Sequence, residues 1–331
     1  MNVSESLLLK YLSDGRYHSG EELGELMGVT RTAVWKQVGK LNEQGISVES
    51  VKGKGYCIKG GLDLLDGETI RAQLSDKSSA CLGKLRIELS VESTNKLARE
   101  VAEEGGATGS VLLAERQTAG RGRRGRQWQS PFGRNIYLSV VWGFDSGVEA
   151  LEGLSLAVGV AVCCAAERCG ASGLQLKWPN DLLFKARKVG GILLEVVGDP
   201  SGFCQVVIGV GLNTGMGADE IRNIDQPWGN LEAAAVAPID RSVLAGCVLD
   251  ELLMLLHCYE RTGFAPFRSA WMDRDAFTDT PVRLLLGSRE VEGVARGVSN
   301  SGALLLEEGL AGQGEVVRQY SGGEISLRSR Q

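Results

Sequence analysis

The densest cluster of chemically reactive side chains is an arginine–glycine segment at 120–126, Gly-Arg-Gly-Arg-Arg-Gly-Arg. Its glycines match the G-x-G-x-x-G pattern, but a dinucleotide-binding fold requires a helix to open at that loop. Pro131 and Gly133 follow closely and disfavour such a helix, so we exclude this fold. Guanidinium groups pair with phosphate and carboxylate oxygens. A solvated basic loop and a nucleic-acid-binding stretch remain possible, but the compact cluster beside apolar strands favours a small phosphorylated ligand.

Two lysines mark further candidate ligand contacts. In the segment 177–181, Lys-Trp-Pro-Asn-Asp, the proline ends a strand and leaves a lysine and an aspartate at its end. That pair suits phosphate and Mg²⁺, although an ordinary turn with a salt bridge has the same sequence. Lys188 lies just before a strand, and the glycines at 190–191 permit close approach of a ligand.

A polar triplet, Ser93-Thr94-Asn95, stands between a predicted strand and a predicted helix. These residue types commonly cap helices. A helix N-terminus also binds anions and polar groups, so the triplet equally predicts a substrate contact.

The elements that must position these side chains form an α+β pattern. Apolar strands and helices intermix without strict βαβ regularity, which predicts a mixed sheet with helices packed on it. The predicted central elements are strands at 85–91, 111–115, 136–142, 174–179 and 206–212 and an apolar helix at 153–169. From Pro281 onward, short strands separated by turns predict a small β-barrel, for which support or interface is the preferred role.

The N-terminal segment predicts a winged helix-turn-helix. Apolar residues recur at helical spacing over 3–12, and Ser19 and Glu22 have capping-box spacing at the start of a second helix, which ends at Gly28. Thr30 can cap a third helix. An alternating segment at 46–58 with a Lys-Gly-Lys-Gly turn predicts a hairpin, the wing.

The net charge of this segment does not indicate DNA binding, but the positions of its basic residues do. Basic and acidic residues in 1–63 are equal in number, so a protein-contact module is the alternative. The cations nevertheless concentrate on the third helix and the wing tip, where phosphates and base edges would be met. The predicted DNA contacts are Arg31, Thr32, Lys36, Lys40, Lys52 and Lys54.

Composition narrows the class of protein. A chain of 331 residues with 43% hydrophobic and 23% charged residues is that of a globular protein with one to three domains. A net charge of −5 excludes a general polyanion binder. Two histidines leave little room for a histidine-rich metal site, and the eight cysteines form no C-x-x-C pair. The apolar stretch at 154–166 is shorter than a membrane span, and no signal region precedes it, so we expect a cytoplasmic protein without membrane contact.

The order and spacing of these motifs resemble those of bifunctional biotin–protein ligases that also repress the biotin operon. The resemblance covers essentially the whole chain. The matching pieces are Ser93-Thr94-Asn95, Gln117, the arginine segment with Trp128, the segment 177–181, Lys188 with the glycines 190–191, and 322–329.

The resemblance implies three domains. They are a winged helix-turn-helix at 1–63, a catalytic domain related to class II aminoacyl-tRNA synthetases at 64–278, and an SH3-like barrel at 279–331. It also implies two half-reactions. Biotin and MgATP give biotinyl-5′-AMP and pyrophosphate, and a lysine of the biotin carboxyl carrier protein of acetyl-CoA carboxylase then displaces AMP.

The resemblance further implies a role for each motif residue. Contacts to biotin or its activated carboxyl are assigned to Ser93, Thr94, Asn95, Gln117, Arg121, Gly122, Arg123 and Lys188. Nucleotide contacts are assigned to Arg121, Arg123, Arg124, Arg126, Trp128, Lys177 and Asn180. The residues assigned to catalysis are Arg123, Lys177, Lys188 and Asp181, with Mg²⁺ arriving on ATP and not at a fixed protein site.

The resemblance also implies how the protein would be regulated, and two alternative functions remain open. Members of such a family form a homodimer on binding the adenylate, and this dimer binds operator DNA. A lipoate–protein ligase shares the fold and the adenylation chemistry, but the arginine segment resembles the biotin family. A ligand-sensing transcription factor without ligase activity is the non-enzymatic alternative.

Overall fold

The computed structural model describes residues 3–199, 202–217, 224, 226–287, 289–310, 314–321 and 325–329. Its N-terminal module consists of α1 (Val3–Leu12), α2 (Gly20–Met27), α3 (Arg31–Glu43), β1 (Glu49–Val51) and β2 (Gly55–Cys57). The two strands pair antiparallel as the predicted wing.

Local sequence signals set the boundaries of these helices. The hydroxyl of Ser19 accepts a hydrogen bond from the Glu22 amide at 3.0 Å, which completes the capping box at the start of α2. Gly28 ends that helix in the left-handed conformation. The Thr30 side chain caps α3. The buried face of α3 presents Val34, Val38 and Leu41 to the other helices, as its spacing predicts.

The central sheet is mixed, as predicted. Its strands are β3 (Leu85–Glu88), β4 (Ser110–Ala114), β5 (Ile136–Phe144), β6 (Gln175–Lys177), β7 (Asp181–Phe184), β8 (Arg187–Gly198) and β9 (Cys204–Leu212), in the order β3-β4-β5-β9-β8-β7-β6. Only β3 and β4 pair in parallel among these neighbours. Two predicted boundaries are wrong. The strand predicted at 85–91 ends at Glu88, and Lys188 lies inside β8 and not before it.

Helices cover both faces of this sheet. On one face, α6 (Thr94–Glu103) packs on Leu112, Val141 and Val207. The side chains that alternate with these point to the main core, which contains α7 (Leu154–Arg168) and α8 (Arg241–Thr262). The short helices of this region are α4 (Gly67–Ala72), α5 (Asp76–Cys81) and α9 (Arg268–Met272).

Two helical segments, Gly147–Arg168 and α8, are long and apolar enough to cross a membrane by length and composition alone. The apolar stretch at 154–166 is shorter than a membrane span by itself, but the 3₁₀ turn at Gly147–Leu151 extends the helical segment. Most of each segment is buried inside the protein. Both segments therefore have the environment of core helices. Core helices can be as long and as apolar as membrane-spanning helices.

The C-terminal part forms a five-stranded antiparallel sheet. Its strands are β10 (Pro281–Leu286), β11 (Arg289–Val298), β12 (Leu304–Leu310), β13 (Gly314–Tyr320) and β14 (Ile325–Ser329), in the order β13-β12-β11-β10-β14. The last strand falls in the motif at 322–329, whose first three residues lie outside the described part of the chain. The indole of Trp178 donates a 3.0 Å hydrogen bond to the Gly302 carbonyl and so ties this sheet to the central domain.

A buried ion pair in the central domain anchors the segment at 63–65, which connects the N-terminal module to that domain. The Arg241 guanidinium at the start of α8 lies 2.7 Å from the Glu115 carboxylate, and both side chains are almost fully buried. Arg241 also donates to the Asn135 and Asp63 carbonyls, while Glu115 accepts from the Leu65 amide. Four chain segments, at 63–65, Glu115, Asn135 and Arg241, thus satisfy one another's buried polar groups.

Replacing Arg241 with Met should lower the free energy of unfolding by about 3–5 kcal/mol, because the substitution leaves the Glu115 carboxylate buried without its partner. The measurement is urea unfolding followed by far-UV circular dichroism. Arg99→Met is the matched control, since the Arg99–Glu103 pair is half-exposed and solvent screens it, so its loss should change the free energy of unfolding very little. Equal losses in both variants would contradict this role for Arg241.

Candidate functional site

One large cavity, of about 1150 Å³, opens between the arginine segment, the β6–β7 turn and the central strands. Its volume is sufficient for more than one small ligand. The ligand-contact residues predicted from the sequence all line it, namely Ser93, Thr94, Asn95, Gln117, Arg121, Gly122, Arg123, Arg124, Arg126, Trp128, Lys177, Asn180, Asp181 and Lys188. The fold thus brings together residues that are nearly 100 positions apart.

A buried polar network forms one end of the cavity. The Ser139 hydroxyl lies 2.8 Å from that of Thr94 and 2.7 Å from the Asn95 amide oxygen. The Gln117 side-chain oxygen accepts from the Thr94 amide at 2.8 Å. Ser93 occupies the N-cap position of α6 but makes no capping hydrogen bond through its side chain. The capping interpretation therefore does not explain Ser93, whose buried side chain instead lines the cavity.

Glu195 connects this network to the arginine segment. Its carboxylate accepts a 2.7 Å hydrogen bond from the Asn95 amide group and lies 3.7 Å from the Arg121 guanidinium. Asn95 in turn sits directly over Gly209 of β9, where an added methyl group would lie 2.1 Å from its side-chain oxygen. Only glycine fits at that position of the sheet.

Arg123 is the arginine of the segment that is held in the cavity. The segment forms a 3₁₀ turn at Arg123–Gly125 and no helix follows, which agrees with the exclusion of a dinucleotide-binding loop. The Arg123 guanidinium donates to the Asn180 side chain at 3.2 Å. Burial and the adjacent Arg124 charge lower the pKa of Arg123, and Asp181 opposes that shift. A partly buried guanidinium favours an anionic ligand, because pairing with an anion offsets the free-energy cost of removing the Arg123 charge from water.

Lys188 and Asp181 face each other across the β7–β8 pair. The Lys188 ammonium lies 2.6 Å from the Asp181 carboxylate, and both side chains are largely buried. The same ammonium lies 5.5 Å from the centre of the Trp128 ring. On the neighbouring β6, the Lys177 ammonium lies 5.8 Å from the Phe277 ring. Several cations and one carboxylate therefore face the same cavity.

Trp128 packs flat on the glycines of the sheet. A methyl group at Gly211 would lie 2.7 Å from its indole, and one at Gly191 would lie 3.3 Å from it. The indole nitrogen of Trp128 is buried without a hydrogen-bond partner. A buried donor of this kind ordinarily has a partner, so its position beside the cavity suits a ligand with an acceptor atom.

Sequence reasoning missed residues that line the cavity and residues that support its lining from behind, such as Ser139 and Glu195, which hydrogen-bond to Asn95. Ser139 and Glu195 lie inside predicted strands, where nothing in the local pattern distinguishes them from ordinary strand residues. The alternating glycines 209 and 211 were a usable signal, because glycine at every second position of a strand leaves one face of the sheet open. Phe277 and Ala276 line the cavity from a distant loop.

The described residues contain no group of three or more His, Cys, Asp or Glu side chains that could hold a metal ion. Asp181 is the carboxylate that lines the cavity. This arrangement suits a divalent cation that arrives with a phosphate ligand better than one held by protein groups alone.

The predicted DNA contacts lie on the exposed side of the N-terminal module. Arg31, Thr32, Lys36, Lys52 and Lys54 are all exposed. Lys40 is exposed as well, and its ammonium also lies 3.3 Å from the nearly buried Glu5 carboxylate, which joins α3 to α1.

The N-terminal module contacts the cavity loop directly. Phe132, four residues beyond Trp128, belongs to the hydrophobic core of that module. The Arg116 guanidinium, just before Gln117, donates to the Gln44 carbonyl at the end of α3. Both ends of the loop that carries the arginine segment are thus attached to the helix-turn-helix.

Comparison with known proteins matches three parts of the chain to families. Residues 5–57 match an HTH domain, 89–213 the Biotin/lipoate A/B protein ligase family, and 279–328 the Biotin protein ligase C terminal domain. A solved structure of biotin protein ligase from Aquifex aeolicus in complex with biotin and ATP is similar over 75% of this chain and 100% of that chain, with a TM-score of 0.63 and 28% identity.

The similarity to curated proteins extends over nearly the whole length. The chain is 41% identical to the Bifunctional ligase/repressor BirA of Salmonella typhimurium, over 97% of both chains. It is 40% identical to the protein of that name from Escherichia coli, over 97% of this chain and 96% of that one, and 32% identical to the one from Bacillus subtilis. The chain belongs to the BirA family of bifunctional ligase/repressor proteins.

Proposed function

We propose that this protein is an ATP-dependent biotin ligase and a repressor of the biotin operon. It activates biotin as biotinyl-5′-AMP and transfers it to a lysine of the biotin carboxyl carrier protein of acetyl-CoA carboxylase. The observation that carries the proposal is the single cavity in which the buried polar network, the arginine segment and the Lys188–Asp181 pair converge. The proposed domains are 1–63 for DNA, 64–278 for catalysis and 279–331 for the C-terminal barrel.

The first half-reaction must bring two anions together. A biotin carboxylate oxygen attacks the α-phosphorus of ATP, and the bond from that phosphorus to the bridging oxygen breaks to release pyrophosphate. Arg121, Arg123 and Lys188 are placed to reduce the repulsion between carboxylate and phosphate. Lys188 would then exchange part of its contact with Asp181 for the developing acyl phosphate, while Lys177, Arg124 and Arg126 meet the remaining phosphate charge.

The buried network suits the uncharged end of biotin. The ureido ring of biotin carries a carbonyl oxygen and two N–H groups, which require matched partners when they are buried. Thr94, Asn95 and Gln117 provide hydroxyl and amide groups at one end of the cavity, supported by Ser139. Ser93 and Gly122 complete the lining around the biotin chain.

The nucleotide occupies the remaining part of the cavity. Trp128 offers a flat ring beside the glycine surface for the adenine base, and Asn180 lies beside Arg123. Asp181 is the protein carboxylate near the phosphate-binding part of the cavity, and Mg²⁺ bound to ATP would supply neutralising charge there. Closure of the arginine segment over the bound adenylate keeps water from hydrolysing this reactive anhydride.

The second half-reaction needs no residue that forms a covalent intermediate. The amine of the carrier lysine attacks the acyl carbon of the adenylate, AMP leaves with the bonding electrons, and the amine loses a proton. Asp181 is placed to orient the incoming amine or to hold Lys188 during this step. The carrier protein therefore docks at the mouth of this cavity.

Repression follows from the attachment of the arginine loop to the DNA-binding module. Phe132 and Arg116 join the two ends of the loop to that module. Adenylate binding would order the loop and promote a homodimer, whose two modules then meet both halves of a palindromic operator. Because these reactions use cytoplasmic ATP and the operator is chromosomal DNA, we propose that the protein acts in the cytoplasm.

The direct test supplies purified protein with ATP, Mg²⁺, labelled biotin and the carrier domain. Label should become attached to a carrier lysine, and a carrier whose lysine is replaced by arginine should remain unlabelled. Adenylate binding without any transfer would instead indicate a ligand-sensing transcription factor.

Arg123→Gly should release biotinyl-5′-AMP about 10- to 100-fold faster, because a charged hydrogen-bond partner of the intermediate is lost. Release is measured by rapid dilution of the preformed complex into a trap. Arg123→Lys retains the charge but lacks the planar guanidinium. Its rate of adenylate release should therefore lie between those of the parent protein and Arg123→Gly. Release from the glycine variant at the rate of the parent protein would refute this role.

Lys188→Met should slow adenylate formation by about 10²–10³-fold in a quenched single-turnover experiment, since a cation at the developing charge is removed. Lys185→Met is the matched control, because Lys185 is exposed on the same hairpin and does not line the cavity. The assignment of Lys188 fails if both variants form the adenylate equally fast.

Deleting residues 1–62 should abolish the binding of operator DNA, measured by fluorescence anisotropy with biotin and ATP present. Because the deletion uncovers Phe132 and Leu89, the double variant Lys52→Glu, Lys54→Glu provides a second test in the intact chain. It should weaken binding and flatten its salt dependence, since two phosphate contacts are lost. Unchanged affinity of the truncated protein would show that the module does not bind DNA.

A further inference from the structure

The recognition helix α3 carries an apolar side chain that neither the fold nor the reaction accounts for. Trp35 is 63% exposed, more than any other aromatic side chain in the described part of the chain. It points away from Val34, Val38 and Leu41, which anchor the helix in the module core. Most of the indole surface is therefore free to contact a partner outside the chain, and the features around it show which kind of partner fits.

Gly39, one helical turn beyond Trp35, is a second and independent anomaly. Glycine inside a helix is less stable than alanine. A methyl group added at Gly39 would meet no atom within 4 Å, so packing within the chain does not require a glycine there. A missing side chain beside an exposed indole allows another surface to approach the helix backbone closely.

The surrounding charge identifies that surface. Thr32 and Lys36 share the exposed face with Trp35 by helical spacing, and Arg31 lies at the start of the same helix. The wing adds Lys52 and Lys54. Lysine is depleted at protein–protein interfaces, whereas cations that flank a recognition helix meet the phosphates of DNA.

An apolar side chain in the major groove has one apolar group to contact on the base edges, the C5-methyl of thymine. We propose that Trp35 reads thymine through this methyl group and that Gly39 permits the close approach of the helix to the groove. This inference rests on the proposed DNA-binding function and names a determinant of its sequence specificity.

The test begins with the full-length protein in the presence of biotin and ATP. The probe is the duplex that the protein selects as its tightest ligand from a random-sequence pool. Each thymine of this duplex is then replaced in turn by deoxyuridine, which lacks only the methyl group. At one or two positions the parent protein should lose about fourfold in affinity for each methyl removed, the value expected for one buried carbon.

The Trp35→Ala variant separates this contact from general attraction to DNA. It should bind the thymine duplex at least about tenfold more weakly, and the deoxyuridine substitutions should no longer matter to it. The slope of its affinity against salt should be unchanged, because no charge is lost. Lys36→Met is the matched control, which should lose affinity equally for both duplexes and reduce the salt slope by about one phosphate contact.

Gly39→Ala should change stability and binding in opposite directions. The melting temperature should rise because alanine favours the helix, while affinity for the selected duplex should fall several-fold because the added methyl group obstructs the groove. Transfer of biotin to the carrier by the Trp35 and Gly39 variants should equal that of the parent protein, which shows that each is folded. Unchanged DNA affinity of Gly39→Ala would overturn the close approach.

The remaining outcomes decide the proposal. If Trp35→Ala retains the thymine preference of the parent protein, or weakens a dimer in sedimentation without changing DNA affinity, thymine reading by Trp35 is refuted. If the parent protein selects no duplex at all, the repressor function itself fails and the inference fails with it. The two failures are distinct, because the first appears only in the variant and the second in the parent protein.

Discussion

The central constraint on this structure is the need to hold positive charge inside a partly buried cavity. Arg123 is half-buried beside another arginine, and its pKa is lowered for that reason. Asn180 supports Arg123 through a hydrogen bond, and Asp181 supports Lys188 through an ion pair. These partners keep the cations in place without cancelling all of their charge. The cavity is thereby prepared for two anionic substrates that would otherwise repel each other.

Glycine makes the remainder of this cavity possible. Asn95 and Trp128 lie so close to β9 that a single added carbon at 209 or 211 would overlap them. The cis peptide bond at Trp178–Pro179 forms the tight β6–β7 turn that presents Asn180 and Asp181. The fold therefore places the bulky side chains of Asn95 and Trp128 over a strip of the sheet formed by glycines, at 191 in β8 and at 209 and 211 in β9. Part of the high glycine content of the chain has this origin.

The features that could be predicted from the sequence are those that a few neighbouring residues determine. The capping box at Ser19, the stripe of Val34, Val38 and Leu41, and the absence of a helix after the arginine segment each depend on a few adjacent residues. The predicted ligand contacts came from short motifs, and the fold brings these residues together around one cavity. Ser139, Glu195 and the Arg241–Glu115 pair were missed because their roles arise from contacts more than 40 residues apart in sequence. Lys40 remains a predicted DNA contact, but its ion pair with Glu5 of α1 could not be read from the sequence because the two residues are 35 positions apart.

The proposed chemistry depends on the cavity joining the biotin carboxylate to the α-phosphate of ATP. Exchange of labelled pyrophosphate into ATP measures this step alone, without the carrier protein or DNA. We expect exchange that requires biotin, that stays at background with lipoate, and that is greatly reduced in Lys188→Met. Exchange that proceeds equally without biotin, or equally well with lipoate, would contradict it.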